Sequence, residues 1–191
     1  MISESAPEKS APGELYLVQR FVNSVDLETH EEELGAPEAL RAWLVERELM
    51  APDDPVTEGD LRRALDVREG LRALLLSNNG HELDAAKVER LDRAASRAGV
   101  RLRFAFGEPP RLVPDASGVD GALARLMAIV AMAVEQGNWQ RMKACPAEDC
   151  EWAFYDHSKN RSGRWCQMAV CGNQQKARSY RERRKRGSAG A

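Results

Sequence analysis

The chain has 191 residues, of which 43% are hydrophobic and 30% charged. That is the composition of a soluble globular protein with room for one full domain and a small appendage. Its start, MISESAPEKSAPG, lacks the basic and apolar regions of a secretory signal and reads as a disordered tail over 1–13. The most apolar run, Ala122–Val134, contains Arg125 and is too short to span a bilayer, which points to a buried helix, no membrane partner and a cytoplasmic location.

The net charge of −2 hides an asymmetry. Residues 141–191 hold twelve Lys/Arg against five Asp/Glu, a net of +7, and leave −9 on residues 1–140. The basic end is the candidate for meeting a polyanion.

Helical spacing of Leu15, Val18, Phe21, Val22 and Val25 predicts a first helix. A second starts near Pro37, a good first-turn residue, and buries Leu40, Trp43 and Leu44. After a loop at 51–56, Thr57 caps a third helix with Glu58 and Asp60 in its first turn. A fourth runs from Asp84 to Arg97 and is closed by Gly99. VRLRFAF (100–106) alternates like a strand, and RLV (111–113) returns beside it as a small hairpin. A fifth helix, about 119–137, leads into the cysteine region. The expected class is α+β, mostly α: a helical N-terminal body with a small β-hairpin, followed by a C-terminal metal unit.

On the third helix Arg68 and Arg72 share the arc of Leu61, Ala64, Leu65, Leu71 and Leu75. A guanidinium on a core-facing stripe must pair with an acid, reach the edge by its stem, or meet an anionic ligand. Asp26 and Glu28, just after Asn23, are the available acids. The readings are an internal salt bridge or a small-molecule anion pocket formed by Asn23, Asp26, Arg68 and Arg72.

All four cysteines lie within 27 residues, spaced Cys145-x4-Cys150-x15-Cys166-x4-Cys171. Two matched short loops can each bring two thiolates to one side of an ion, so the pattern points to one tetrahedral structural Zn2+. Disulfides, iron–sulfur and a redox pair fit less well: no secretory signal is present, and Cys-x-x-Cys is absent. With four thiolates bound the metal keeps no open position, so catalysis at zinc is not expected. His157 reads as a surface loop residue. EWAFYDH (151–157) reads as a strand, NRSG (160–163) as its turn and RWC (164–166) as its return, with a basic helix after Cys171. Knuckle, hairpin and helix make a treble-clef-like unit whose stability comes largely from zinc.

Cys145-Pro-Ala-Glu-Asp-Cys150, Trp152 to Arg161, Arg164-Trp165-Cys166 and Cys171-Gly172-Asn173 with Lys176 and Arg178 resemble the CGNR zinc finger. Upstream, Phe21-Val-Asn23-Ser-Val-Asp26, the Trp43-Leu44 helix and the Arg68 helix are similar to the ABATE domain that accompanies this finger. The resemblance divides the chain into an ABATE-like body at 14–140, the finger at 141–186 and a disordered tail at 187–191. It implies a bacterial, stress-induced transcription regulator whose finger binds DNA. One departure is Gln174, where the motif has Arg.

On a helix after Cys171, Arg178, Arg181 and Lys185 fall within about a 60° arc. That stripe could lie along phosphates or enter a major groove, with Lys176, Arg183 and Arg184 on other faces reaching flanking backbone. Asn173, Gln174 and Gln175 near the helix start are the candidates for reading bases. Trp152, Phe154, Tyr155 and Trp165 read as the finger's own core rather than as base-stacking platforms. The expected function is therefore a DNA-binding regulator, not an enzyme, whose body senses a small-molecule effector or mediates assembly, including as a homodimer. The finger is expected to project from the acidic body. The alternatives are a protein- or RNA-interaction module and, least, an enzyme with an anion pocket near Arg68.

Overall fold

A computed structural model describes residues 9–107 and 109–173. Five helices build the body: α1 (Leu15–Val22), α2 (Pro37–Glu46), α3 (Glu58–Asn78), α4 (Ala85–Ala95) and α5 (Gly118–Glu135). Three two-stranded antiparallel sheets complete the described fold: β1 (Val25–Asp26) with β2 (Glu31–Glu32), β3 (Val100–Arg103) with β4 (Arg111–Pro114), and β5 (Met142–Ala144) with β6 (Ala153–Tyr155). The protein is thus mostly α with small antiparallel sheets, as its sequence predicts.

The long central helix α3 begins at a complete capping box. Thr57 Oγ1 accepts the Asp60 N–H, while the Asp60 carboxylate accepts the Thr57 N–H. It ends at Asn79 followed by Gly80, whose φ of +87° is the left-handed turn only glycine adopts freely. The Gly80 and His81 N–H groups close the last turn on the carbonyls of Ser77 and Leu76. Around α3 pack Phe21 and Val22 of α1, Leu40 and Leu44 of α2, and Leu123 and Leu126 of α5, all buried. Phe21 meets Trp43 edge-on at 5.5 Å between ring centroids.

Several boundaries differ from the sequence reading. Helix α1 stops at Val22, and Val25 lies in β1. The stop is local: Ser24 Oγ turns back to the Phe21 carbonyl, and the Glu33 N–H takes the Ser24 carbonyl. Helix α4 ends at Ala95 with Ser96 as its cap, whose hydroxyl binds the Arg93 carbonyl. Gly99 instead opens the hairpin, accepting the Asp115 N–H. Strand β3 ends at Arg103, and the alternation that continues through Phe104 and Phe106 leaves both rings exposed.

The larger correction concerns the finger. Residues 164–166 form no strand; β6 pairs backwards across the first cysteine loop with β5, in the register Met142↔Tyr155, Lys143↔Phe154 and Ala144↔Ala153. Because side chains alternate across a strand, the two faces of this hairpin divide the molecule. Met142, Ala144, Ala153 and Tyr155 join the main hydrophobic core. Phe154 and Trp152 turn the other way, into a second cluster with Cys145, Ala147, Cys166 and Cys171, against which Trp165 packs. The hairpin is docked on the body rather than projecting from it.

Candidate metal centre and its seat on the body

The four cysteines converge. Their sulfur atoms all lie within 4.8 Å of one another, with Cys166 Sγ at 3.6 Å from both Cys150 Sγ and Cys171 Sγ. A Zn–S bond of about 2.3 Å places tetrahedral thiolates about 3.8 Å apart, so the spacing suits one ion. All four are free thiols. Hydrogen bonds from Cys150 and then Cys166 pull the Cys145 thiol down to about 2. The hydrogen bond it makes with Cys145 pushes Cys150 up, bonds to Cys145 and Cys150 push Cys166 up, and burial followed by the Cys145 charge raises Cys171. Four thiolates packed this closely would repel one another, and a divalent cation at their centre would offset that charge. Cys145, Cys150, Cys166 and Cys171 are the residues that would hold one structural zinc ion.

Local backbone builds each half. In the first loop the Cys150 and Glu151 N–H groups both bind the Ala147 carbonyl, and the Cys145 N–H binds the Trp152 carbonyl. Glu151 takes a φ of +43° to turn the chain into β6. Cys171 of the second pair sits in a π-helical turn, Met168–Gly172, and the basic helix expected after it lies outside the described residues. Asn173 follows, exposed, with Nδ2 donating to the Ala169 carbonyl. Gln174, Lys176, Arg178, Arg181 and Lys185 lie outside the described residues.

Between the two pairs a buried ion pair fixes the connecting loop. Lys143 Nζ donates to Asp156 Oδ2 at 2.8 Å and to the carbonyls of Arg161 and Gly163 at 2.6 and 2.8 Å, spending all three protons. Asp156 also accepts the Ser158 and Gly163 N–H groups. Burial works to raise the Asp156 carboxyl, but Lys143 and Ser158 hold it at about 2. Gly163 permits this approach, since a Cβ there would lie 2.7 Å from Asp156 Oδ1. This pair has no spacing signature in the sequence.

Body side chains then grip the finger by its backbone. Asn23 accepts the Ala153 N–H at 2.7 Å and donates to the Ala153 carbonyl at 2.9 Å. Gln19 donates to the same carbonyl. Fully buried Arg72 reaches from α3 to the carbonyls of Val22 and Glu151. At the end of α3, Asn78 holds the Trp139 and Met142 carbonyls, and Asn79 those of Ala144 and Arg164.

The residues suggested for an anion pocket therefore have other occupations. Asn23 and Arg72 bind finger backbone. Arg68 forms a two-pronged pair with Glu32 at 2.7 and 2.8 Å and a further bond to Glu69. It takes the internal salt bridge reading, but with Glu32 and Glu69 as its acids instead of Asp26 and Glu28. Burial opposes ionisation of Glu32, yet the Arg68 hydrogen bonds keep its carboxyl below the usual range. Asp26 Oδ1 caps the turn it starts, accepting the Glu28 and Thr29 N–H groups. His157 is exposed, its ring bonded to the Ser10 carbonyl.

A helical body holding a four-cysteine knuckle by its backbone defines a zinc-finger protein whose metal is structural. The chain belongs to the ABATE family, described as "Putative stress-induced transcription regulator", which it matches over residues 16–135; residues 141–184 match the CGNR zinc finger. No curated protein matches the chain. No helix among the described residues is long and apolar enough to cross a membrane.

Proposed function

We propose that the chain is a transcription regulator that binds duplex DNA through its C-terminal basic segment, with the body setting the finger's orientation and carrying its regulation. One observation supports this most: Cys171, which converges with the other three cysteines, lies in the last described turn. A zinc bound there would anchor the chain just before the sequence that holds Lys176, Arg178, Arg181 and Lys185. The acidic balance of residues 1–140 would repel DNA elsewhere. Four thiolates leave zinc no open position for an activated water, so the reading is a non-enzymatic one.

The test is a salt titration of the zinc-loaded full chain on mixed-sequence duplex DNA, beside RNA of the same length. Each phosphate neutralised adds roughly −0.9 to the slope of log K against log salt. Reversing Arg178, Arg181 and Lys185 to Glu should abolish binding and flatten that slope. Unchanged duplex affinity in that variant would refute the assignment. Tighter binding to RNA would favour the RNA-interaction reading.

A further inference from the structure

Beside the metal centre, where body and finger meet, lies a cavity of about 240 Å3. The finger supplies Trp152, Phe154 and the zinc ligands Cys150, Cys166 and Cys171; the body supplies Asp26 and Glu28. Among the described residues, Asp26 Oδ2 and the Glu28 carboxylate have no partner. Zinc with four thiolates carries a formal charge of −2, so the walls combine aromatic faces with negative charge on two sides. Such walls disfavour an anion and suit a cation, held by ring quadrupoles and carboxylates together.

The chain already places a cation there. Lys9 lines the cavity, and its Nζ stands over the Phe154 ring, 5.2 Å from the centroid. Lys9 is brought there by a short strap of backbone. Its carbonyl accepts from Gln19 Nε2, the Ala11 N–H binds Gln19 Oε1, and the Ser10 carbonyl binds the His157 ring. The strap touches the body through Gln19 and the finger through His157 and Phe154. An ammonium on an aromatic face, inside an acidic cavity, is the chemistry of organic-cation recognition.

We propose that this seam cavity is a binding site for a small organic cation, an amine or quaternary ammonium, and that Lys9 is an internal occupant which the ligand displaces. The cavity is smaller than the roughly 300–1,000 Å3 of sites for drug-sized ligands, which matches a headgroup or a short amine. A ligand there would contact both the turn after α1 and the zinc knuckle, and would release the Lys9 side chain from the Phe154 ring. The site stands whether or not the chain binds DNA.

Calorimetric titration of the zinc-loaded full chain with tetramethylammonium and n-butylammonium, at fixed ionic strength, tests it. Sodium phosphate is the comparison. Either ammonium should bind, and phosphate should not. Lys9→Ala should tighten binding several-fold by removing the competitor. The pair Asp26→Asn and Glu28→Gln should weaken it roughly tenfold, with zinc content unchanged as the sign of an intact fold. No ammonium binding to Lys9→Ala, equal affinity in the carboxylate variant, or equal binding of phosphate would each overturn the proposal. DNA affinity measured on the same samples reports separately on the nucleic-acid reading.

Discussion

Asn23 and Ala153 bond to each other as two residues of neighbouring strands would, although Asn23 does so with its side chain. Its Oδ1 accepts the Ala153 N–H at 2.7 Å and its Nδ2 donates to the Ala153 carbonyl at 2.9 Å. Both residues are buried, so neither backbone group has water as a substitute. Asn23→Ala should cost about 2–3 kcal/mol in denaturant unfolding of the zinc-loaded protein. Asn23→Asp should cost at least as much at neutral pH, because a carboxylate keeps the acceptor but faces the Ala153 carbonyl without a proton. A variant as stable as the parent would show that the clasp contributes nothing.

Arg72 does similar work with more reach. From a fully buried position it binds Val22 at the end of α1, Glu151 in the first cysteine loop and Glu69 on its own helix. Burial pulls its pKa down, and Glu69 opposes that. Lysine retains the charge but has neither the fork nor its spread of donors. Arg72→Lys should therefore destabilise by about 2–4 kcal/mol. Hydrogen exchange should show the extra opening at Glu151–Tyr155 and the end of α1 together. Opening confined to α3 would contradict the bridging role.

Much of this architecture was legible because its signals are local. Thr57 and Asp60 form a capping box three residues apart, and the matched cysteine gaps define a ligand set without reference to the rest of the chain. The seat of the finger was not. Strand β5 is three residues long and carries Lys143 at its centre, so its apolar alternation is too brief to stand out. Gln19, Asn23, Asn78 and Asn79 bind backbone, which leaves no complementary residue to find in the sequence. Glu32 reaches Arg68 only because two-residue strands fold the 25–32 turn back on itself. Polar residues at helix ends with no exposed role were the available hint.

The Lys143–Asp156 pair gives the fold an acid limit. Asp156 is held at about 2 in the folded protein, against an ordinary value of 3.8. The folded state thus prefers the carboxylate. Its stabilisation, about 2 kcal/mol, is complete above pH 4 and disappears as pH falls through about 2. Asp156→Asn removes this dependence and leaves Lys143 buried opposite a neutral partner, at a cost of about 3–5 kcal/mol near neutrality. Zinc release in acid acts on the same hairpin, so parent and variant are compared at matched, measured zinc content. The stability gap between parent and variant should be constant above pH 4 and narrow below it. A gap independent of pH down to 2 would mean that Asp156 is not held as a carboxylate.

Removing the metal should reach beyond the finger. In an independent module, chelation would unfold residues around the cysteines and leave the body's melting temperature unchanged. Here Met142, Ala144, Ala153 and Tyr155 belong to the body's own core, and Trp139 just before them is buried with it. Losing the zinc loosens the cysteine loop that joins the two strands carrying those four side chains, and so weakens their hold on the core. Chelation, or Cys166→Ser, should then lower the thermal transition of the whole chain by several degrees, in the range a loss of one to a few kcal/mol produces at this size. Near-ultraviolet circular dichroism should register both the finger's Trp152 and the body's Trp139. If the body melts unchanged after complete loss of zinc, the hairpin completes no part of its core.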